Sequence, residues 1–213
     1  MKASRRLILF PGLGADARLF HRQSSLDAHI EIPPWIEPAD DESLASYARR
    51  IALTIRSQPP YHIGGCSFGE MIALEVVRLL KPTAVILIAS CKTPLAINQA
   101  LLGLAPMARL MPKWLLQFSA HSVPSPFRNV LTEVPKMLTW GPIAIARWQG
   151  AEDCNAPIFH IHGSADRIIP ARSVSPDRLI RNGGHLINIT HAEEVNHFIS
   201  EAFSRYVGYN PCP

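Results

Sequence analysis

The sequence predicts an α/β fold: a mostly parallel, doubly wound sheet of about six strands with a helical insertion. Three observations point there. Short apolar runs alternate with amphipathic helical stretches through residues 1–92. Between 93 and 150 that alternation stops, and the chain becomes rich in proline, leucine and methionine. From 151 to 213 the strand-like runs resume. The expected organisation is a core built from 1–92 and 151–213, with 93–150 inserted as one unit.

Each element has a local cause. Leu7 to Phe10, "LILF", is a continuous apolar run of the kind buried on both faces of a parallel sheet, and Pro11-Gly12 breaks it. Ala15 to Ser25 reads as a short helix. "HIEIPPW" gives a second strand, stopped by Pro33 and Pro34. Ser43 is placed to cap a helix through about Arg56, with Leu44, Tyr47, Ile51 and Ile55 on one face. Pro59-Pro60 ends it, and "YHIGG" is the third strand. Phe68 to Leu80 is helical up to Lys81-Pro82, and "AVILIAS", 84–90, is a fourth buried strand. The segment Thr93–Gly150 reads as a few short helices. "PIFHIHG" and "DRLIRNGG" then supply two more strands, and Ala192–Val207 a closing helix.

Bulk properties narrow the function classes. At 213 residues the chain fits one domain with an accessory segment and needs no disulfide staples. The net charge is +4, but the Lys and Arg are scattered and form no basic stripe interleaved with aromatics, which argues against nucleic-acid binding. Cys66, Cys91, Cys154 and Cys212 include no C-x-x-C pair, so neither a zinc ribbon nor a dithiol redox site is expected. Free thiols fit a reducing compartment. The apolar run at the N-terminus is too short for a signal-peptide core, and no run approaches membrane-spanning length. The expectation is a cytoplasmic protein.

Chemistry-bearing residues gather at the expected strand ends, where parallel α/β sheets place their sites. Gly65-Cys66-Ser67-Phe68-Gly69 is a G-x-S-x-G match set between a strand and a helix, the context in which the serine sits on a sharp turn with its hydroxyl exposed. The same serine could instead be an incidental residue in a tight corner. Asp166, in "HGSADRIIP", follows a buried strand and can orient an imidazole, although an Asp there also suits an Asx turn. His185, in "RNGGHLINI", follows the last strand behind two glycines. Alone it reads as an exposed loop histidine. The order Ser67, Asp166, His185 is that of a nucleophile, an orienting acid and a base on such a sheet.

With these motifs the chain resembles the α/β-hydrolase superfamily over almost its whole length. "FPGLGADARLF" is similar to the family's loop after its first conserved parallel strand, with Pro11-Gly12 where His-Gly is common. The resemblance implies a serine hydrolase with Ser67 as nucleophile, His185 as base and Asp166 as its partner. It implies an oxyanion hole from the backbone amides of Leu13 and Phe68. It also implies that 93–150 is a helical lid, since the family inserts its cap at that point. Within it Met107, Met111, Trp114 and Leu115 are candidate pocket residues, on a stretch that must also pack onto the body. The N-terminal antiparallel strands usual in the family are not expected. Glu70 stands where many relatives carry a glycine; it reads as a first-turn carboxylate favoured by the helix dipole, in preference to one pointing toward the substrate entrance.

The implied substrate is a carboxylic ester or thioester of a small to medium hydrophobic acyl group. No cofactor or metal is implied. Arg109, Lys113, Arg128, Lys136 and Arg147 make the insertion basic. That is a solvated face in the plain reading, or a docking surface for an acidic acyl carrier or a coenzyme A thioester. Two other classes stay open: a lyase or carbon–carbon hydrolase in which Ser67 and His185 shuttle protons, and a non-catalytic binding protein. His160 and His162 share one strand face, but spacing places no third ligand with them, so they read as packed or hydrogen-bonded residues. His191 and His197 read as surface helix residues.

Overall fold

The computed structural model describes residues 5–110, 135–151 and 153–205. Strands β1 (Arg6–Phe10), β2 (His29–Glu31), β3 (His62–Cys66), β4 (Val85–Ile88), β5 (Ile158–Gly163) and β6 (Arg178–Ile180) form one six-stranded sheet. Its order is β2-β1-β3-β4-β5-β6 and every pairing is parallel. The helices α1 (Leu44–Ala52), α2 (Phe68–Val77), α3 (Gln99–Gly103), α4 (Pro135–Ala146), α5 (Ile187–Thr190) and α6 (Ala192–Arg205) are joined by 3-10 turns, including one over Ala17–Ser25.

Strand alternation divides the core between the two faces of the sheet. Ile8 and Phe10, with Val85 and Leu87, point toward α1, α2 and α4. Leu7 and Leu9, with Ile86 and Ile88, point toward the 3-10 helix and α6. This is the period-2 geometry of a strand, with both faces covered by helices. Every residue of β4 is buried, and each such large aliphatic side chain contributes about 1.5–3 kcal/mol. Helix α2 is buried over almost its entire surface, so it carries no polar face.

Two helices end earlier than the sequence suggests, for identifiable reasons. The Ser43 hydroxyl does cap α1, accepting from the Ser46 amide at 3.2 Å. The helix stops at Ala52 because the amides of Arg56 and Ser57 are taken at 2.7 Å by the Glu31 carboxylate from the edge strand. Helix α2 gives way after Val77 to a tighter turn, in which the Leu79 amide bonds back to the Val76 carbonyl. The insertion contains short helices, as expected, in the parts described: α3, α4 and 3-10 turns over Pro94–Ala96 and Ala105–Leu110.

The chain leaves β1 toward one edge and returns through β3 on the other side of β1. That reversal is a topological switch point, and a crevice opens at the carboxyl ends of the two strands. The loop after β1 and the turn after β3 meet there.

Candidate active site

Ser67 occupies the turn between β3 and α2 with φ 55 and ψ −122, a positive φ that a side-chain-bearing residue rarely adopts. Such a conformation costs on the order of 1–3 kcal/mol and persists where its surroundings fix it. Three hydrogen bonds do so. The Ser67 amide donates to the Ile88 carbonyl at 3.1 Å, while the Ser67 carbonyl accepts from the Glu70 amide at 3.1 Å and from the Ser90 hydroxyl at 2.7 Å. Gly65 and Gly69 make the turn sterically feasible. A Cβ on Gly69 would overlap the carbonyl oxygens of Phe10 and Pro11, and one on Gly65 would lie 2.7 Å from the Phe10 carbonyl oxygen.

The structure brings Ser67, Asp166 and His185 together. His185 Nε2 lies 2.8 Å from Ser67 Oγ, and His185 Nδ1 lies 2.7 Å from Asp166 Oδ2. The other carboxylate oxygen of Asp166 accepts the amides of Ile168 and Ile169 at 2.8 and 3.0 Å. Asp166 thus makes an Asx turn and faces the imidazole at once, because its two oxygens have separate partners. Burial pushes its pKa up, but the His185 hydrogen bond and the two amides outweigh that and hold it below the ordinary carboxylate value. The group is an anion facing the ring.

Leu13 and Phe68 both line the cavity beside Ser67. Phe68 opens α2, so its amide is one of those an α-helix leaves without an intrahelical partner. Its ring is held in the core, 5.7 Å from Trp35 and 6.0 Å from Trp140. The Leu13 loop is fixed by the Ala15 amide bonding to Gly12 at 3.0 Å and by the Trp35 indole donating to the Ala15 carbonyl at 2.8 Å.

The cavity over Ser67 measures about 400 Å³. Apart from Ser67 and His185 its walls are almost wholly apolar: Met71, Ile97, Leu101, Leu102, Pro142, Ile145, Ile168 and Ile169 among others. A larger cleft of about 820 Å³ lies against α4, bounded by Asp40, Lys136 and Trp148, and contains none of Ser67, Asp166 or His185. The smaller cavity is the one that adjoins reactive groups.

Not every expected pocket residue lines it. Met107 is 58% exposed and is absent from the cavity wall. Met111, Trp114 and Leu115 lie outside the described residues. The insertion instead supplies Leu101, Leu102 and Ala105 from one end and Pro142 and Ile145 from α4. Glu70 also differs from its reading as a first-turn carboxylate favoured by the helix dipole. It stands in the first turn of α2 but is completely buried, and neither carboxyl oxygen has a hydrogen-bond partner among the described residues. Burial raises its pKa well above the ordinary value and the nearby Cys154 adds to this against the Gly65 backbone, so enclosure favours the neutral acid over the charge a dipole would stabilise. Ser90 escaped sequence reasoning. Its only signal was its place at the end of the fourth apolar run.

Among the described residues no group of His, Cys, Asp and Glu is placed to hold a metal ion, and no helix is long and apolar enough to cross a membrane. Two basic residues of the insertion have acidic neighbours: Lys136 pairs with Asp40 at 2.8 Å, and Arg147 lies 3.7 Å from Asp41. His197 is exposed and pairs with Glu201 at 2.9 Å, as suits a surface residue.

Neither a family model nor a curated protein matches the chain. Solved structures do. An esterase from Thermogutta terrifontis superposes with a TM-score of 0.67 at 17% identity, over 96% of this chain and 91% of its own. An N-acyl homoserine lactonase gives 0.74 at 12% identity, over 99% and 93%. The enol-lactonase from Burkholderia xenovorans gives 0.68 at 13% identity, over 95% and 92%. The fold they share with this chain is the α/β-hydrolase fold.

Proposed function

We propose that the protein is a serine hydrolase that cleaves a carboxylic ester or thioester of a small to medium hydrophobic acyl group. The observation that carries this reading is the strained Ser67 with His185 Nε2 2.8 Å from its hydroxyl and Asp166 2.7 Å behind the ring. A chain that needed only a tight corner at 67 would have no reason to hold an imidazole and a buried carboxylate in line with it.

The chemistry follows from the geometry. Ser67 Oγ attacks the acyl carbonyl carbon while His185 Nε2 takes its proton. The Asp166 carboxylate stabilises the imidazolium. The carbonyl oxygen becomes an oxyanion, which the amides of Phe68 and Leu13 receive, helped by the positive end of α2. The intermediate collapses as His185 returns the proton to the departing alcohol or thiol. Water then attacks the acyl-enzyme with His185 again as base, which regenerates Ser67 and releases the acid. No step calls for a metal or cofactor.

The substrate class rests on the cavity. Among the described residues a carboxylate or phosphate in the acyl part would find no cationic wall near Ser67, whereas a hydrocarbon chain matches the apolar lining. Residues 93–150 act as the lid, with α3 and α4 closing over the acyl chain. Lys136 and Arg147, which an acidic carrier would have to engage, already face Asp40 and Asp41. An acyl-chain series of p-nitrophenyl esters and matching thioesters tests the reading. Turnover should rise with chain length and then fall once the cavity is full, and Ser67→Ala should abolish it. Full activity in Ser67→Ala would end the reading.

A further inference from the structure

His160 and His162 take no part in the reaction just described, yet they lie directly behind its acid. Both rings are buried on β5, with side-chain exposure of 0% at His162. His162 Nε2 is 2.8 Å from the Ile169 carbonyl oxygen and 3.4 Å from Asp166 Oδ2. His162 Nδ1 is 3.3 Å from His160 Nε2, and the two rings stand at 86° to one another.

The protons can be placed from these partners. Burial favours the neutral form of both rings: it pushes the His160 pKa down to about 3, with the neighbouring His162 and Lys92 adding to the effect against the Ser90 backbone, and it lowers His162 despite the opposing Ile169 carbonyl and Asp166. A neutral imidazole carries one N–H. His162 Nε2 faces only acceptors, so the hydrogen is there. Nδ1 is then an acceptor, and His160 Nε2–H is its donor.

We infer that His162 is a positioning residue for Asp166, held in its tautomer by His160, and that this role adds to the serine-hydrolase reading on which it rests. Ile169 is tied at both ends. Its amide donates to Asp166 Oδ1 at 3.0 Å, and its carbonyl accepts from His162. The His162 N–H therefore fixes the turn 166–169 against β5 from beneath and lends a weaker, longer contact to Asp166 Oδ2, the oxygen that faces His185. A carboxylate free to rotate would present that oxygen to the ring only part of the time. Residues that orient metal-bound histidines and carboxylates from behind typically matter about 10–100-fold, and a loss of that order is expected for a residue that orients Asp166.

The test compares His162→Leu with His162→Gln, whose amide can reach the Ile169 carbonyl as Nε2–H does. The expected result is a loss of about 10–100-fold in kcat for His162→Leu with KM unchanged, and recovery to within about 3-fold in His162→Gln. A folded His162→Leu enzyme with wild-type kcat, or equal losses in both variants, overturns the inference. A second measurement needs no variant. Nitrogen-15 NMR of the wild-type protein should show His162 as the Nε2–H tautomer with a slowly exchanging proton, and an Nδ1–H tautomer overturns the inference even if His162→Leu does not fold. Ser67→Ala, assayed alongside, keeps the two claims apart. If it is inactive while His162→Leu is unimpaired, only the positioning role fails; if Ser67→Ala is active, the hydrolase reading itself fails.

Discussion

Buried Glu70 should contribute a loss of stability as pH rises. Its carboxyl is fully buried without a hydrogen-bond partner among the described residues, and its pKa lies well above the ordinary 4.5. The sign is set by linkage. Above 4.5 the unfolded chain releases the Glu70 proton while the folded protein keeps it, so the folded state binds more protons and loses stability with increasing pH. The slope is about 1.4 kcal/mol for each pH unit until the folded carboxyl itself ionises. Glu70→Gln has nearly the same shape and no proton to lose, so its stability lacks this slope. The advantage of the variant over wild type should therefore be small near pH 4.5 and grow by about 1.4 kcal/mol per unit above it, levelling off where the folded carboxyl ionises. With urea m-values of about 1–3 kcal/mol/M, that is a shift of about 0.5–1.4 M in midpoint per pH unit. Urea melts of both proteins at several pH values from about 5 to 8 read it directly. A difference that stays constant with pH, or shrinks, would refute the burial argument.

Other consequences are more local. Gly69→Ala should prevent the turn at Ser67 from closing, because its Cβ would overlap the carbonyls of Phe10 and Pro11; a thermal melt should show a loss of about 3 kcal/mol or more together with loss of esterase activity. Asp166→Asn should lower kcat by about 10⁴-fold with KM little changed, since the imidazole loses its orienting anion; single-substrate kinetics would show it. Trp148→Phe removes the indole that donates to Glu75 Oε1 at 2.8 Å and should cost about 1–3 kcal/mol in a denaturant melt with activity retained. Ile145→Trp should narrow the cavity and move the preferred ester to a shorter chain, read from the chain-length series.

What was legible in the sequence is what depends on local pattern. Apolar runs gave β1 and β4 because strands buried on both faces are nearly continuous in aliphatic residues, and β3 and β5 were legible from the shorter apolar stretches around His62, His160 and His162. G-x-S-x-G pointed to the turn at Ser67 because only glycine tolerates the approach of α2 to the loop after β1. Asp166 and His185 were found through their position after strands and their order. What was not legible depends on three-dimensional neighbours. Glu70 follows the elbow, where a helix start would favour a carboxylate, and nothing local reveals that the sheet, α2 and the Cys154 segment enclose it. Met107 is as apolar as Leu102, yet only Leu102 turns toward the cavity. His160 and His162 were recognisable as a same-face pair, but that their partners are Asp166 and the Ile169 carbonyl follows from the fold of the acid loop.

The central claim is that Ser67 becomes acylated. Mixing the protein with a slowly hydrolysed medium-chain p-nitrophenyl ester and recording intact mass, followed by peptide mapping, tests it most directly. The account predicts one acyl adduct on Ser67, a burst of p-nitrophenol equal to the enzyme concentration, and neither in Ser67→Ala. Turnover of the ester with no burst and no adduct on Ser67 would contradict it.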